Sequence, residues 1–137
     1  MGPVPGAARA NGNPTLRGGI GVKCVHYTEI DGTVVKSDLA RGVTGRVCIG
    51  RADGAGHFCM RVFEVAEGGH TPLHTHPWEH EVFVHRGEAE IVMAGAAHRV
   101  RAGSVAFIPG GVEHQMRNVG EGPFVFVCLI PSGAPEL

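Results

Sequence analysis

The chain lacks the features that mark nucleic-acid-binding and membrane proteins. It has 12 lysines and arginines against 13 aspartates and glutamates, for a net charge of −1. No excess of positive charge is therefore present to hold nucleic acid or an anionic membrane surface. No apolar run approaches the roughly 20 residues of a membrane helix, and the N-terminal segment has no hydrophobic signal core. We therefore expect a cytoplasmic protein that binds neither nucleic acid nor membranes.

Cysteine and the larger aromatic residues are also scarce. The four cysteines have no CxxC spacing, which indicates reduced thiols rather than a disulfide framework or a zinc knuckle. There is one Trp and one Tyr, whereas 22 glycines and 9 histidines occur in 137 residues. The glycines indicate many tight turns, and the histidines indicate metal or proton chemistry. The length is suited to one domain.

Short runs of β-favouring residues alternate with glycine-centred turns along most of the chain. This texture predicts an all-β barrel or sandwich over residues 17–131. Residues 1–16 are too poor in apolar side chains to order themselves, so we expect a disordered tail there, and a second tail at 132–137. Asp31-Gly32 predicts a hairpin turn. The predicted strands are residues 43–49, 58–65, 81–85, 89–93, 98–100, 105–108, 115–117 and 124–130.

The last predicted strand, residues 124–130, reads FVFVCLI and is apolar at both parities. A single barrel wall has only one inner face, so the outer face of this strand needs a cover as well. That cover is a second sheet or a second subunit. We therefore predict a homodimer.

Three histidines fall within seven residues, in the segment HTHPWEH at positions 74–80. On an extended chain His74 and His76 share one face, about 6–7 Å apart at the backbone, so both imidazoles can reach one ion. His80 opens the next predicted strand after the turn. The spacing predicts a metal site; solvated loop histidines are the alternative.

Two segments of the chain resemble the two sequence motifs of the cupins. Together they cover about fifty residues and occur in the expected order. The resemblance implies a single-domain cupin jelly-roll β-barrel that holds one metal ion. The first segment, residues 68–87, matches at Gly68, His74 and His76, and the second, residues 103–118, matches at Gly103, Pro109, Gly111, His114 and Asn118.

The chain departs from the cupin pattern where the motif has a glutamate. Keeping six residues before Gly87 places His80 at that position, whereas counting four residues after His76 gives Glu81. The string HTHPWEHEVFV resembles small cupins that bind manganese through four histidines. This implies His74, His76, His80 and His114 as ligands; a set of three histidines with Glu81 is the alternative, and His70 is a fallback ligand. Manganese is implied by the resemblance, while imidazole donors also suit iron, copper, nickel and zinc.

The same resemblance implies which residues line the site. Arg61 would face the cavity and hold an anionic substrate group, and Cys128 would lie near the metal, where its thiol could be oxidised. We therefore count Arg61 and Cys128 as candidate catalytic residues; a solvated arginine and an inert core cysteine are the alternatives. The expected substrate pocket is formed by Trp78, Met116, Phe126 and Ile130.

Three functions are compatible with these residues. The first is a metal-dependent oxygenase that acts on a small organic substrate with dioxygen or peroxide, favoured by the all-nitrogen site and the apolar pocket. The second is a non-redox isomerase or lyase that uses the metal as a Lewis acid, with Glu81 or Glu113 as the candidate base. The third is a binding module without turnover. The fold alone does not separate them.

Overall fold

Short strands separated by glycine-containing turns form the fold, as the computed structural model of the protein shows for residues 7–10, 13–16 and 21–137. The described residues contain no α-helix, only two 3₁₀ turns at Tyr27–Glu29 and Arg51–Asp53. No helix among them is long and apolar enough to cross a membrane. The strands are β1 (Ala7–Ala10), β2 (Asn13–Leu16), β3 (Thr33–Val34), β4 (Arg41–Ile49), β5 (Phe58–His70), β6 (His80–Arg86), β7 (Glu88–Met93), β8 (Ala96–Arg101), β9 (Val105–Ile108), β10 (His114–Arg117) and β11 (Phe124–Pro131).

Strands β3 to β11 form one curled antiparallel sheet. The main path of paired strands runs β8-β7-β10-β5-β11-β6-β9. Two further strands lie off this path: β4 pairs with β5, and β3 pairs with β4. The long strand β5 connects the two halves, because it pairs with β4 and β11 along most of its length and with β10 at its end. The predicted all-β, single-domain barrel architecture is confirmed.

The main core lies inside the curl of the sheet. Its largest fully buried side chains are Phe124, Phe126, Ile91 and Ile108. Alternation accounts for this set, because residues two apart on a strand point to the same side of the sheet. In β6 the pattern is strict: His80, Val82 and Val84 are buried while their neighbours are exposed.

The outer face of β11 is covered in part by the chain itself. Val125 is buried in a second cluster with Ile30, Cys48 and Val62, and residues of the 21–31 segment pack on that cluster. Val127 and Leu129 are only half-buried. The two-sided apolar character of β11 is thus explained partly within one chain, and the homodimer stays a prediction.

Two local expectations have different outcomes. Asp31-Gly32 does not join two strands, because a 3₁₀ turn precedes it and β3 pairs with Thr44 and Gly45 of β4 instead. The disordered tail predicted for residues 1–16 falls partly outside the described residues. Two stretches of that segment are described, and there β1 pairs with β2 in an antiparallel hairpin.

Candidate metal centre

Three separate segments bring the histidines of the two motifs together. His74 and His76 lie in the connection between β5 and β6, His80 opens β6 and His114 opens β10. His74 and His114 exchange two backbone hydrogen bonds, with N–O distances of 3.1 and 3.0 Å. The two motifs are therefore joined by the backbone directly at the site.

The turn of the second motif packs closely on the first. The backbone N–H of Gly111 donates to the carbonyl of His76 at 2.8 Å, and Gly111 has a φ of +80°, which a glycine adopts without strain. At the neighbouring Gly110, a Cβ atom would collide with the carbonyl oxygen of Pro77. Glycine at both positions thus lets the two histidine-bearing segments approach each other.

The imidazoles of these segments converge on one region. The ring nitrogens of His74, His76 and His114 lie within 4.8 Å of one another, close enough to hold a metal ion. His80 borders the same cluster: its Nε2 is 2.9 Å from Nε2 of His76, and its ring centroid is 5.0 Å from that of His114. All four histidines of the sequence prediction are therefore brought together.

Backbone carbonyls fix the orientation of two of these rings. Nδ1 of His76 is 2.9 Å from the carbonyl oxygen of Trp78, and Nδ1 of His114 is 2.9 Å from that of Val112. Because a carbonyl oxygen only accepts hydrogen bonds, both Nδ1 atoms carry the proton and both Nε2 atoms present a lone pair. The indole of Trp78 also stacks on the His76 ring, with centroids 4.2 Å apart.

Burial favours the uncharged form of His74, His76 and His80 by lowering their pKa values. For His76, burial lowers the pKa and the proximity of His114 lowers it further. For His80, burial and then the positive charge of Arg61 lower the pKa to about 3. Metal ligation requires neutral imidazole, and a metal ion bound by Nε2 of both His76 and His80 would replace the hydrogen bond that joins these two atoms at 2.9 Å. The donor set therefore fits a divalent transition metal.

His80 and Glu81 lie on opposite faces of β6. His80 is 6 % exposed and lines the cavity of the histidine cluster. Glu81 is exposed, and its strand partners are Phe107 and Leu129. The parity of β6 thus directs the imidazole into the barrel and the carboxylate away from the other three histidines.

The histidine cluster opens into a cavity of about 240 Å³. Of the other residues predicted for the site, Arg61, Trp78, Met116, Phe126 and Cys128 all line it. Ile130 does not. It is buried near the end of β11 in a separate cluster with Cys59 and Ala134, so its parity on the strand is right but its position along the strand is too far from the histidines.

Arg61, Cys128 and His80 form a buried group at the wall of this cavity. Nη2 of Arg61 is 3.2 Å from Sγ of Cys128 and 3.4 Å from Nδ1 of His80. Sγ of Cys128 is in turn 3.1 Å from Nδ1 of His80. Burial raises the pKa of the Cys128 thiol, which the neighbouring guanidinium partly offsets. The thiol is therefore a hydrogen-bonding partner of both groups.

Three further candidates lie elsewhere. Nδ1 of His70 is 3.1 Å from the carbonyl of Thr71, and His70 is outside the cluster. Glu113 is exposed and, like Glu81, does not line the cavity. Neither carboxylate considered as a general base is thus positioned at the site.

Sequence reasoning missed part of the lining. Phe63 could have been found, because it shares the parity of Arg61 on β5, whereas the C-terminal segment gave no signal. In that segment Glu136 accepts hydrogen bonds from the backbone N–H of Arg51 at 2.9 Å and, through its carbonyl, from Arg61 at 3.3 Å. The additional lining residues are Val35, Val43, Phe63, Thr71, Pro72, Pro135 and Leu137.

Comparison with known proteins agrees with this geometry. Residues 61–130 match the family model of the cupin domain. The structure of the polyketide cyclase RemF from Streptomyces resistomycificus is 33 % identical, covers 83 % of this chain and 82 % of its own, and superposes with a TM-score of 0.77.

Two curated proteins match over shorter regions. One is 1-methylthio-D-xylulose 5-phosphate methylsulfurylase of Rhodospirillum rubrum, 31 % identical over 52 % of this chain and 46 % of its own length. The other is germin-like protein 1-2 of rice, Oryza sativa subsp. japonica, 36 % identical over 54 % of this chain and 36 % of its own length. The chain thus spans less than half the length of these two relatives.

Proposed function

Since the chain belongs to the cupin family, we propose that it is a metal-dependent enzyme that converts a small organic substrate in the cavity beside the histidine cluster. The observation that carries the proposal is the convergence of four imidazoles at the wall of an otherwise largely apolar cavity. His74, His76, His80 and His114 would be the ligands. Manganese is the proposed metal, with iron, copper, nickel and zinc as alternatives.

The chemistry that the site favours is Lewis-acid activation without redox change. A divalent ion held by neutral imidazoles would polarise a carbonyl or enolate oxygen of the substrate. The similarity to a polyketide cyclase over most of both chains supports a substrate with enolisable carbonyl groups and a ring-forming reaction.

The residues of the chain would bind and orient such a substrate. Phe63 and Phe126 stack with centroids 5.4 Å apart, and with Met116 they form an apolar wall on which a flat carbon skeleton can pack. This wall would hold a flexible substrate in a folded conformation and exclude water from it. Proximity of that kind is a large part of catalysis when two parts of one substrate must react.

Oxygenation is the second candidate, and one observation favours it. Among the described residues, the cavity lining contains no carboxylate side chain, so the site offers no acidic side chain as a general base. A redox-capable metal held only by nitrogen donors, with dioxygen or peroxide as co-substrate, would not depend on such a base.

Product analysis separates the two candidates. Protein loaded with manganese would be incubated with a linear poly-β-ketone, in air and under anaerobic conditions. Cyclisation predicts the same product in both, with a mass that is unchanged or reduced by water. Oxygenation predicts a product that gains oxygen atoms only in air. The variant His76→Ala should abolish either reaction, whereas the matched control His98→Ala, at an exposed site on β8, should not.

The same experiment tests the third candidate, a binding module without turnover. Retention of metal and substrate without any product would support the binding module and contradict the enzyme.

We further propose that the protein is a cytoplasmic homodimer. The exposed apolar side chains of Phe83, Val105 and Phe107 on β6 and β9 support a subunit contact.

A further inference from the structure

Arg61 is a buried cation that the described residues leave without a carboxylate partner. Its side chain lines the cavity while the residue is only 7 % exposed. The ion pairs among the described residues are Lys23–Asp53 and Arg99–Glu88, and neither includes Arg61. A buried charge is costly unless it is paired. Among the described residues, Arg61 is also the one charged side chain that lines the cavity.

The hydrogen bonds of the Arg61 guanidinium do not compensate for the missing carboxylate partner. Its contacts are to the carbonyl of Glu136 at 3.3 Å, the thiol of Cys128 at 3.2 Å and Nδ1 of His80 at 3.4 Å. All three partners are neutral, and the distances to the carbonyl oxygen and to the imidazole nitrogen exceed the 2.7–2.9 Å of charge-assisted bonds. Nε of Arg61 has no hydrogen-bond partner in the described part of the chain.

The nearby carboxylate of Glu136 is engaged elsewhere. Its Oε2 accepts from the backbone N–H of Arg51 at 2.9 Å, and burial together with this carboxylate raises the pKa of the Cys59 thiol to about 11. One face of the Arg61 guanidinium packs on the Phe63 ring, 4.9 Å from its centroid. The guanidinium is therefore held in place by packing, with donor capacity to spare.

We propose that Arg61 forms an anion-binding subsite that takes a planar oxyanion, a carboxylate or an enolate, attached to an apolar body. The planar fork of arginine matches two oxygens of such a group, and Phe63 and Phe126 flank the apolar part. The inference rests on the proposed function only in taking this cavity as the substrate site. It narrows the anionic group that the sequence led us to expect at Arg61 to a planar oxyanion attached to an apolar body.

The test uses metal-free protein, so that the anion cannot be held by a metal. Trp78 is the only tryptophan of the chain and lines the cavity, so its fluorescence reports binding there. Benzoate and its neutral isostere benzamide would be titrated at about pH 8, where the histidines are uncharged. We expect benzoate to bind roughly 10- to 150-fold more tightly than benzamide, as for hydrogen bonds to a charged group.

Variants locate the effect. Arg61→Met keeps the length of the side chain and should reduce benzoate affinity to that of benzamide. Arg61→Lys keeps the charge without the planar fork and should keep a smaller preference for benzoate. The matched control is Arg46→Met, because Arg46 bonds the carbonyl of Ile30 and does not line the cavity. It should bind benzoate like the wild type.

Equal affinities for benzoate and benzamide in the wild type would overturn the proposal, as would unchanged benzoate binding in Arg61→Met. If circular dichroism shows that Arg61→Met is unfolded, Arg61→Lys decides: a benzoate preference equal to that of the wild type would refute the role of the fork. Failure here leaves metal binding and turnover untouched. Conversely, anion binding in a protein that never turns over a poly-β-ketone would contradict only the proposed function.

Discussion

The two neighbouring residues His80 and Glu81 provide a sharp test of the metal site. They are adjacent on β6 but face opposite sides of the sheet. His80→Ala removes the imidazole whose Nε2 lies 2.9 Å from Nε2 of His76. Glu81→Gln, its matched control, removes a charge at an exposed position. If His80 is a ligand, only the first change should weaken metal binding.

The expected loss of metal affinity can be bounded from the effect of residues that only orient a ligand. Losing a partner that merely orients a ligand costs roughly 10- to 100-fold in metal affinity, so losing a ligand should cost at least about 100-fold. With metal at about 1,000 times the wild-type Kd, binding stabilises the fold by roughly 4.1 kcal/mol, and a 100-fold weaker site leaves roughly 1.4 kcal/mol. The difference is about 2.7 kcal/mol.

Thermal unfolding converts this into a measurable shift. A chain of 137 residues has an unfolding entropy for which 1 kcal/mol corresponds to about 3.5 °C. The metal-induced rise in Tm should therefore be about 9 °C smaller in His80→Ala than in the wild type, and unchanged in Glu81→Gln. Each variant is compared with its own metal-free form, so that changes in packing cancel.

A third variant and metal analysis complete the test. His80→Glu restores the more common cupin ligand set, so it should retain metal, with one unit less positive charge and a lower reduction potential of the bound ion. Loss of metal in Glu81→Gln together with retention in His80→Ala would refute the assignment. It would show that the carboxylate, not the imidazole, reaches the ion.

Three further predictions concern the surroundings of the site. Cys128→Val should weaken metal binding roughly 10- to 100-fold, because a metal-bound His80 carries its proton on Nδ1 and the Cys128 thiol is the acceptor at 3.1 Å. Cys128→Ser should restore most of the metal affinity, and equal metal affinity in both variants would contradict this role of the thiol. Because burial lowers the pKa of His80 in the folded protein, the unfolded chain binds more protons below about pH 6.5. The free energy of unfolding of metal-free protein, measured with urea, should therefore be highest above that pH and fall by up to about 1.4 kcal/mol per pH unit below it, and a stability independent of pH would contradict this prediction. Sedimentation equilibrium at micromolar concentration should give twice the chain mass, and Phe83→Glu should give a monomer; a monomeric wild type would rule out the dimer.

The strands were predictable where local sequence patterns mark them, namely runs of β-favouring residues bounded by glycine-centred turns. The last strand was expected at residues 124–130, and β11 spans Phe124–Pro131. The prediction fell short at β5, because a strand was expected only at residues 58–65 whereas β5 continues through Gly68 and Gly69 to His70. Gly68 has a φ of +76°, and a Cβ on Gly69 would collide with the carbonyl of Arg41. The glycines thus serve a bend within a long strand that packs against β4, a contact that no local pattern shows.

The site was predictable as far as motif spacing and parity reach. The six-residue count before Gly87 indicated His80, the resemblance to four-histidine cupins implied Phe126, and the structure brings both to the cavity. Parity does not fix position along the strand axis, so Ile130 was assigned to a pocket that ends before it. The contribution of Pro135 and Leu137 depends on the path of the chain after β11, and residues without periodicity give no indication of that path.

The charges of the cavity connect the proposed chemistry with the anion subsite. Neutral imidazoles would leave a divalent ion its full charge, and Arg61 adds a further positive charge that no carboxylate of the described lining offsets. Such a site stabilises negative charge that the substrate brings or develops. An enolisable carbonyl compound does both, because loss of its proton to the solvent creates an oxyanion that a guanidinium and a Lewis acid can share. Oxygenation of a neutral substrate would make no use of the guanidinium. The unpaired arginine is therefore an argument for an anionic or enolisable substrate that is independent of the similarity to a cyclase.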